Sequence, residues 1–189
     1  MESIAAAGCF DLIAIAAPAS RWDEIRAIAA EHQLTDVVLL EGGARRQDSV
    51  AAAIDRCDGH DWITVHDAAR PLTPAEVFRA VLDAARADGA AIAGVPCVDT
   101  VKQVQNGQVA ATLDRASIIA AQTPQSFSAD ILRRAHRNAA SHGISAGDDA
   151  ALVEALGVPV MVVPGDPRNF KITFPQDLVL LRSILEEVR

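Results

Sequence analysis

"WITVHDAARPL", residues 62–72, is the stretch that decides the fold. Four strand-forming residues run straight into a polar loop that sets an acid, Asp67, three places before a guanidinium, Arg70. The loop closes on Thr73-Pro74-Ala75-Glu76, which has the form of a capping box with proline at the first helical position, so a helix is expected to about residue 86. A strand that feeds a helix through a short polar loop is one unit of an α/β layout.

The unit repeats on both sides. Upstream, DVVLLE (36–41) reads as a strand ended by Gly42-Gly43, and RRQDSVAAAIDRC (45–57) follows as a helix with Val50, Ala53 and Ile54 turned inward. Before it, DLIAIAAP (11–18) reads as a strand, and Ser20 opens a helix over 20–33 with Trp22, Ile25, Ile28 and Ala29 on one face. Downstream, AAIAGVP (90–96) is a strand, after which TVKQVQNGQVAATL (100–113) alternates around Asn106-Gly107 and predicts a projecting β-ribbon. Helices at 128–141 and 148–156, a strand at 158–164, an extended FKIT at 170–173 and a helix entered through Pro175 complete the chain. The expectation is a single α/β domain over 1–189, a mostly parallel sheet with helices on both faces and a β-hairpin arm.

Composition narrows the function. A formal charge of −8, from 17 basic and 25 acidic residues, argues against nucleic-acid backbone as a partner, which needs a broad basic face. Any anionic ligand must be met locally. Cys9, Cys57 and Cys97 are scattered and odd in number, so neither a disulfide framework nor a metal site is indicated and a cytoplasmic setting fits. No apolar run reaches the ~18 residues of a membrane span, and the N-terminus has no signal-peptide pattern.

In open parallel sheets ligands bind beyond the carboxyl ends of the strands, which singles out four places. Gly42 to Ser49 puts two glycines, Arg46 and Ser49 at a helix start, where backbone NH groups favour polar or anionic ligands; the same stretch also reads as an ordinary turn. In His66–Pro71, Asp67 can accept sugar hydroxyls and Arg70 can grip phosphate, or the two can form a buried pair shaping the loop. His66 reads as a packed strand-end residue. Asp99-Thr100 and Asp114-Arg115 stand at the feet of the ribbon, either offering a hydroxyl and a guanidinium or forming a solvated hairpin base. Lys171, between apolar neighbours, suggests an anion partner, with surface lysine as the alternative. Asp148 and Asp149 do not read as an acid–base pair, because adjacent helical residues point about 100° apart.

Together, GGARRQDSV, VHDAARP, VDTVK, LDRASIIAAQTPQSF, GDDAALVE and NFKIT, in this order, resemble the 2-C-methyl-D-erythritol 4-phosphate cytidylyltransferases of the non-mevalonate isoprenoid pathway. Ribitol 5-phosphate-type cytidylyltransferases share much of the pattern. The resemblance implies a Rossmann-like nucleotidyltransferase domain, a homodimer joined through an arm over 98–122, CTP as co-substrate, Mg2+ held mainly by the CTP phosphates, and release of pyrophosphate. Carried over by motif, Gly43, Ala44, Arg46, Ser49, Asp67 and Ala68 would bind CTP. Arg70 and Lys171 would be catalytic, and Thr100, Arg115, Thr123 and Lys171 would bind the acceptor, Thr100 and Arg115 from the other subunit.

Two departures stand beside the resemblance. The family's opening strand and glycine-rich loop have no counterpart here, so about the first 40 residues are expected to be missing, which leaves three readings: an internal Met1 in a longer enzyme, an inactive homologue, or a binding and dimerisation module. Gly147 stands where threonine is common, loosening that turn. Loss of an inner strand is expected to expose two sheet edges.

Overall fold

The alternation of short β-branched runs with amphipathic stretches is realised in chain order. The computed structural model describes residues 1–187. Its elements are α1 (Glu2–Ala7), β1 (Ile13–Ala16), α2 (Trp22–Glu31), β2 (Val37–Leu40), α3 (Arg46–Ile54), β3 (Trp62–Val65), α4 (Ala75–Asp88), β4 (Ala90–Pro96), β5 (Lys102–Gln105), β6 (Gln108–Thr112), β7 (Ile119–Ser128), α5 (Ala129–His142), α6 (Asp149–Glu154), β8 (Met161–Pro164) and α7 (Pro175–Glu187).

The strands form a four-stranded sheet in the order β3-β7-β4-β8, a β1-β2 pair and the β5-β6 ribbon. β1 runs parallel to β2 and β4 parallel to β8, whereas β7 is antiparallel to both β3 and β4. Helices cover both faces of the larger sheet because successive strand residues point opposite ways. Ala90 and Ile92 of β4 face a core with Phe127 and with Leu132 and Ala135 of α5, while Ala91 and Ala93 face Val77, Val81 and Ala85 of α4. The buried positions of α4, Val77, Phe78, Val81, Leu82 and Ala85, recur at helical spacing. Gly89, at φ 93°, ends the helix in a left-handed conformation that a side chain disfavours.

Between β1 and β3 runs a cleft of about 800 Å3, lined by both strands, by Val50 and Ile54 of α3 and by Phe78 and Leu82 of α4. Among the described residues, β1 pairs only with β2 and β3 only with β7, so each presents an open edge to this cleft.

Some expectations are corrected. Thr73 does not cap α4; its hydroxyl is turned inward to Asn169 Oδ1 at 2.6 Å, and Pro74 takes the cap position. Ser20 lies in a 3-10 turn before α2, and Ile28 is exposed because α2 buries only Ala29 fully. Residues 170–173 form no ladder; a single backbone bond, Ile172 N to Ala69 O at 2.8 Å, ties them to the loop after β3. The run 119–128, which the sequence reading leaves without a strand, is β7, paired on both edges.

Candidate active site

The loop after β3 is the floor of the site. Burial holds it there: Asp67 N donates to Thr123 Oγ1 of β7 at 3.0 Å, and the same hydroxyl lies 3.0 Å from His66 Nδ1. Arg70 O, 3.3 Å from His66 Nε2, can only accept, so the imidazole proton sits on Nε2 and Nδ1 accepts from the Thr123 hydroxyl. His66 packs edge-on against Phe78 at 4.8 Å, and burial pushes its pKa down to about 4, so it is neutral and structural.

A hollow of about 240 Å3 opens above this floor, walled by Arg46, Asp67, Arg70, Gln125, Asp148 and Lys171. The charged residues come from four separate parts of the chain. Asp67 is their hub: Oδ1 accepts from Arg46 Nε at 2.7 Å and Oδ2 from Lys171 Nζ at 2.9 Å. Burial opposes ionisation of Asp67, but the hydrogen bonds from Lys171 and Arg46 outweigh it and hold the carboxyl below its ordinary value. Arg46 is likewise opposed by burial and held above its ordinary value by Asp149 and Asp67. Among the described residues Arg70 pairs with no carboxylate; Nη1 donates to Asn169 O at 2.7 Å, Nε is buried without a partner there, and burial lowers its pKa from the ordinary guanidinium value. Three cations against two carboxylates, Asp67 and Asp148, leave the wall one positive charge in excess.

Sequence reasoning and structure meet unevenly. Arg46, Asp67, Arg70, Thr123 and Lys171 share the hollow. Thr123 contributes from a nearly buried position with its hydroxyl already engaged. Gly43 and Ser49 lie just outside, where Gly43 N donates to Ser49 Oγ at 3.0 Å; a side chain at Gly43 would run into Cβ of Asp48. Ala44 and Ala68 are exposed beside it. Thr100 and Arg115 do not line the hollow of their own chain; they sit at the ribbon's foot, where Arg115 Nη1 donates to Val98 O at 2.7 Å. Gln125, whose Nε2 donates to Asp148 Oδ2 at 2.8 Å, and the buried His136 have no role in the sequence analysis, and Asn169 enters it only within NFKIT. Asp148 caps α6, accepting from Ala151 N at 3.0 Å. Asn169 follows Arg168 and precedes Phe170, and nothing local marks it as the buried partner of Thr73 and Thr123.

An α/β sheet whose strand-end loops gather two arginines and a lysine around a small hollow is a frame suited to phosphorylated ligands. The family model for IspD, 2-C-methyl-D-erythritol 4-phosphate cytidylyltransferase, matches residues 1–187. The chain is 39% identical over 194 residues to the 2-C-methyl-D-erythritol 4-phosphate cytidylyltransferase of Acidobacterium capsulatum, covering 99% of this chain and 81% of that one. It is 43% identical over 155 residues to that of Bacillus licheniformis, covering 82% and 67%. Among solved structures, the enzyme of that name from Thermus thermophilus superimposes with a TM-score of 0.73 at 42% identity over 78% of this chain and 72% of that one. The 4-diphosphocytidyl-2C-methyl-D-erythritol synthase of Anaerococcus prevotii shares the fold at a TM-score of 0.91 and 24% identity, covering 98% and 86%. The chain belongs to the 2-C-methyl-D-erythritol 4-phosphate cytidylyltransferase family, whose members are nucleotidyltransferases. It spans 64 to 67% of the length of the first three curated relatives it matches.

Proposed function

We propose that the chain transfers a cytidylyl group from CTP to 2-C-methyl-D-erythritol 4-phosphate, forming 4-diphosphocytidyl-2-C-methyl-D-erythritol and pyrophosphate. The observation that carries this reading is the convergence of Arg46, Asp67, Arg70 and Lys171 on one hollow. The acceptor's phosphate monoester is largely ionised at neutral pH, its second pKa being about 6, and needs no general base. One of its oxygens bonds to the α-phosphorus of CTP as the bond from that phosphorus to the bridging oxygen breaks, and the electron pair leaves on pyrophosphate. The difficulty is to bring two anions together, and alignment alone can supply roughly 7 to 11 kcal/mol.

Arg70 suits that task because, among the described residues, its charge is uncommitted to a carboxylate and its Nε lacks an acceptor. Lys171, with 45% of its side chain exposed, can exchange Asp67 for a phosphate oxygen without unburying anything. Asp67, relieved of Lys171, can turn an oxygen to a ribose hydroxyl. Gly43 and Ser49, with Ala44 and Ala68 beside them, would take the base and sugar, and Thr123 holds Asp67 in place for both partners. A divalent cation would be held mainly by the CTP phosphates, beside the carboxylates of Asp67 and Asp148 that line the hollow. Mg2+ would neutralise phosphate charge there, and the chain's own residues act beside it.

The homodimer is part of the same proposal. Val98, Val104, Val109, Leu113 and Ile119 are exposed along 98–122, which supports burial of this arm against a second copy, with Thr100 and Arg115 serving the partner's acceptor. No described helix is long and apolar enough to cross a membrane, and three free cysteines agree with a reducing cytoplasm. The test is pyrophosphate release from CTP with 2-C-methyl-D-erythritol 4-phosphate or ribitol 5-phosphate, alongside calorimetry with CTP. Turnover with the methylerythritol phosphate alone supports the proposal; preference for ribitol 5-phosphate reassigns the acceptor, and CTP binding without turnover reduces the chain to a binding module.

A further inference from the structure

Arg46 is gripped from behind in a way that limits what it can recognise. Its Nε donates to Asp67 Oδ1 at 2.7 Å and its Nη1 to Asp149 Oδ2 at 2.8 Å, while Nη2 is buried and has no partner among the described residues. A guanidinium forks onto phosphate through two adjacent nitrogens, along its Nε–Nη2 side or across its Nη1–Nη2 end. Along the first side Nε is spent on Asp67, whereas Nη1 keeps a second N–H after its bond to Asp149. Arg46 keeps three N–H bonds uncommitted among the described residues, one on Nη1 and two on the buried Nη2, and its charge is opposed by carboxylates from two sides.

The second of those carboxylates is itself fixed. Asp149 is 1% exposed, and its Oδ1 lies 2.9 Å from Nε2 of His136, which is 8% exposed. A carboxylate paired with arginine can only accept, so His136 carries its proton on Nε2 and donates. His136 stands on α5 and Asp149 on the first turn of α6, and the two helices share a core through Leu132, Ala135 and Leu152. Neither side chain lines the hollow; both connect to it through Arg46, His136 by way of Asp149.

We infer that His136 and Asp149 are positioning residues that hold Arg46, its charge countered by Asp67 and Asp149, as a reader of a neutral oxygen on the nucleoside part of the ligand, leaving phosphate to Arg70 and Lys171. The ligand half of this inference rests on the nucleotide reading above; the positioning half does not. Its test therefore begins with the ligand-free chain, by hydrogen exchange of the Arg46 Nε–H in nitrogen-15 spectra. His136→Leu, which has no donor, is expected to speed that exchange about tenfold, the equivalent of one modest charged hydrogen bond, and His136→Gln, which keeps a donor, to restore most of the protection. Should His136→Leu fail to fold, Asp149→Asn supplies the same comparison with its shape preserved. Unchanged exchange in the folded variant, or equal loss in the leucine and glutamine variants, overturns the positioning role.

The ligand arm compares Asp149→Asn with the parent for CTP, ribose 5-phosphate and inorganic pyrophosphate. CTP affinity is expected to fall about 10- to 100-fold with pyrophosphate unchanged. A parallel fall for ribose 5-phosphate puts the oxygen on the sugar, and its absence puts it on the base. An equal fall for pyrophosphate would show Arg46 gripping phosphate and overturn the inference. If the parent binds no CTP, the nucleotide reading and the ligand half fall together, and the exchange measurement still decides the positioning half.

Discussion

A single imidazole illustrates how burial becomes pH dependence. His66 has a pKa of about 4 in the fold, against about 6.5 in an unfolded chain. Between those values the unfolded chain holds a proton that the folded one does not, so stability rises with pH across the window and is complete above it. The span of 2.5 units corresponds to about 3 kcal/mol, of which about 2 kcal/mol is lost between pH 7 and pH 5. Urea unfolding at those two pH values should show this loss, and His66→Asn, which can still accept from Thr123 but does not titrate, should remove most of it. An identical slope in the variant would mean other groups cause it. Asp67, held below its ordinary value, adds a loss only at lower pH, as the fall passes through its folded pKa. Asp67→Ala should raise the KM for CTP more than that for the acceptor, since its proposed partner is the nucleotide; steady-state kinetics with each substrate varied checks this. Arg46, Asp67 and Lys171 were legible in the sequence because they follow strand ends or stand out among apolar neighbours. The Asp149–Arg46 contact was not, since it joins residues 103 positions apart and nothing local marks either as the other's partner.

At the scale of the element, local turn chemistry made some structure legible and long-range pairing hid the rest. The ribbon announced itself because Asn106 and Gly107, at φ 51° and 77°, are the residues a tight hairpin turn demands. β7 was hidden by Pro124, since proline inside a run argues against a central strand. The strand accommodates it where the pairing with β4 slips between Ile92 and Gly94. Its buried Gln122, Thr123, Gln125 and Ser126 look like loop residues until their distant partners are known, such as Asp166 O for Gln122 and Thr64 Oγ1 for Ser126. β7 leads directly into α5, whose cap is Ser128, with Oγ accepting from Ile131 N at 3.3 Å. Ser128→Ala should therefore cost about 1 kcal/mol, a fall of roughly 2–4 °C in melting temperature by calorimetry. The ribbon carries a functional expectation as well. Arg115→Ala should raise the KM for the acceptor about 10- to 100-fold and leave that for CTP nearly unchanged, as its proposed partner is the acceptor phosphate. Equal losses would detach Arg115 from that role.

The whole molecule is a sheet in two parts, and its stability should be divided in the same way. β3, β7, β4 and β8 share continuous ladders and bury Phe127, Leu132, Val81 and Val153 almost completely. β1 and β2 hydrogen-bond only to each other among the described residues, and they meet the larger sheet across the 800 Å3 cleft. Local opening follows buried apolar contact and hydrogen bonding, so the β1–β2 unit lies at the low end of the stability range. Backbone amides of Ile13–Ala16 and Val37–Leu40 should exchange with solvent well before those of β4 and β7, and through local opening insensitive to low urea. The cleft's two open edges and apolar walls should also bind a hydrophobic dye and favour association at high concentration. Because Arg46 stands on α3, which packs against β1, while Asp67 follows β3, opening of the cleft would draw apart two sides of the hollow. A ligand that bridges Arg46 and Arg70 should then protect the β1 amides without touching them, and hydrogen exchange with and without CTP measures that coupling. Protection confined to the β3 loop, with β1 unchanged, would mean that the two parts of the sheet move independently of the site.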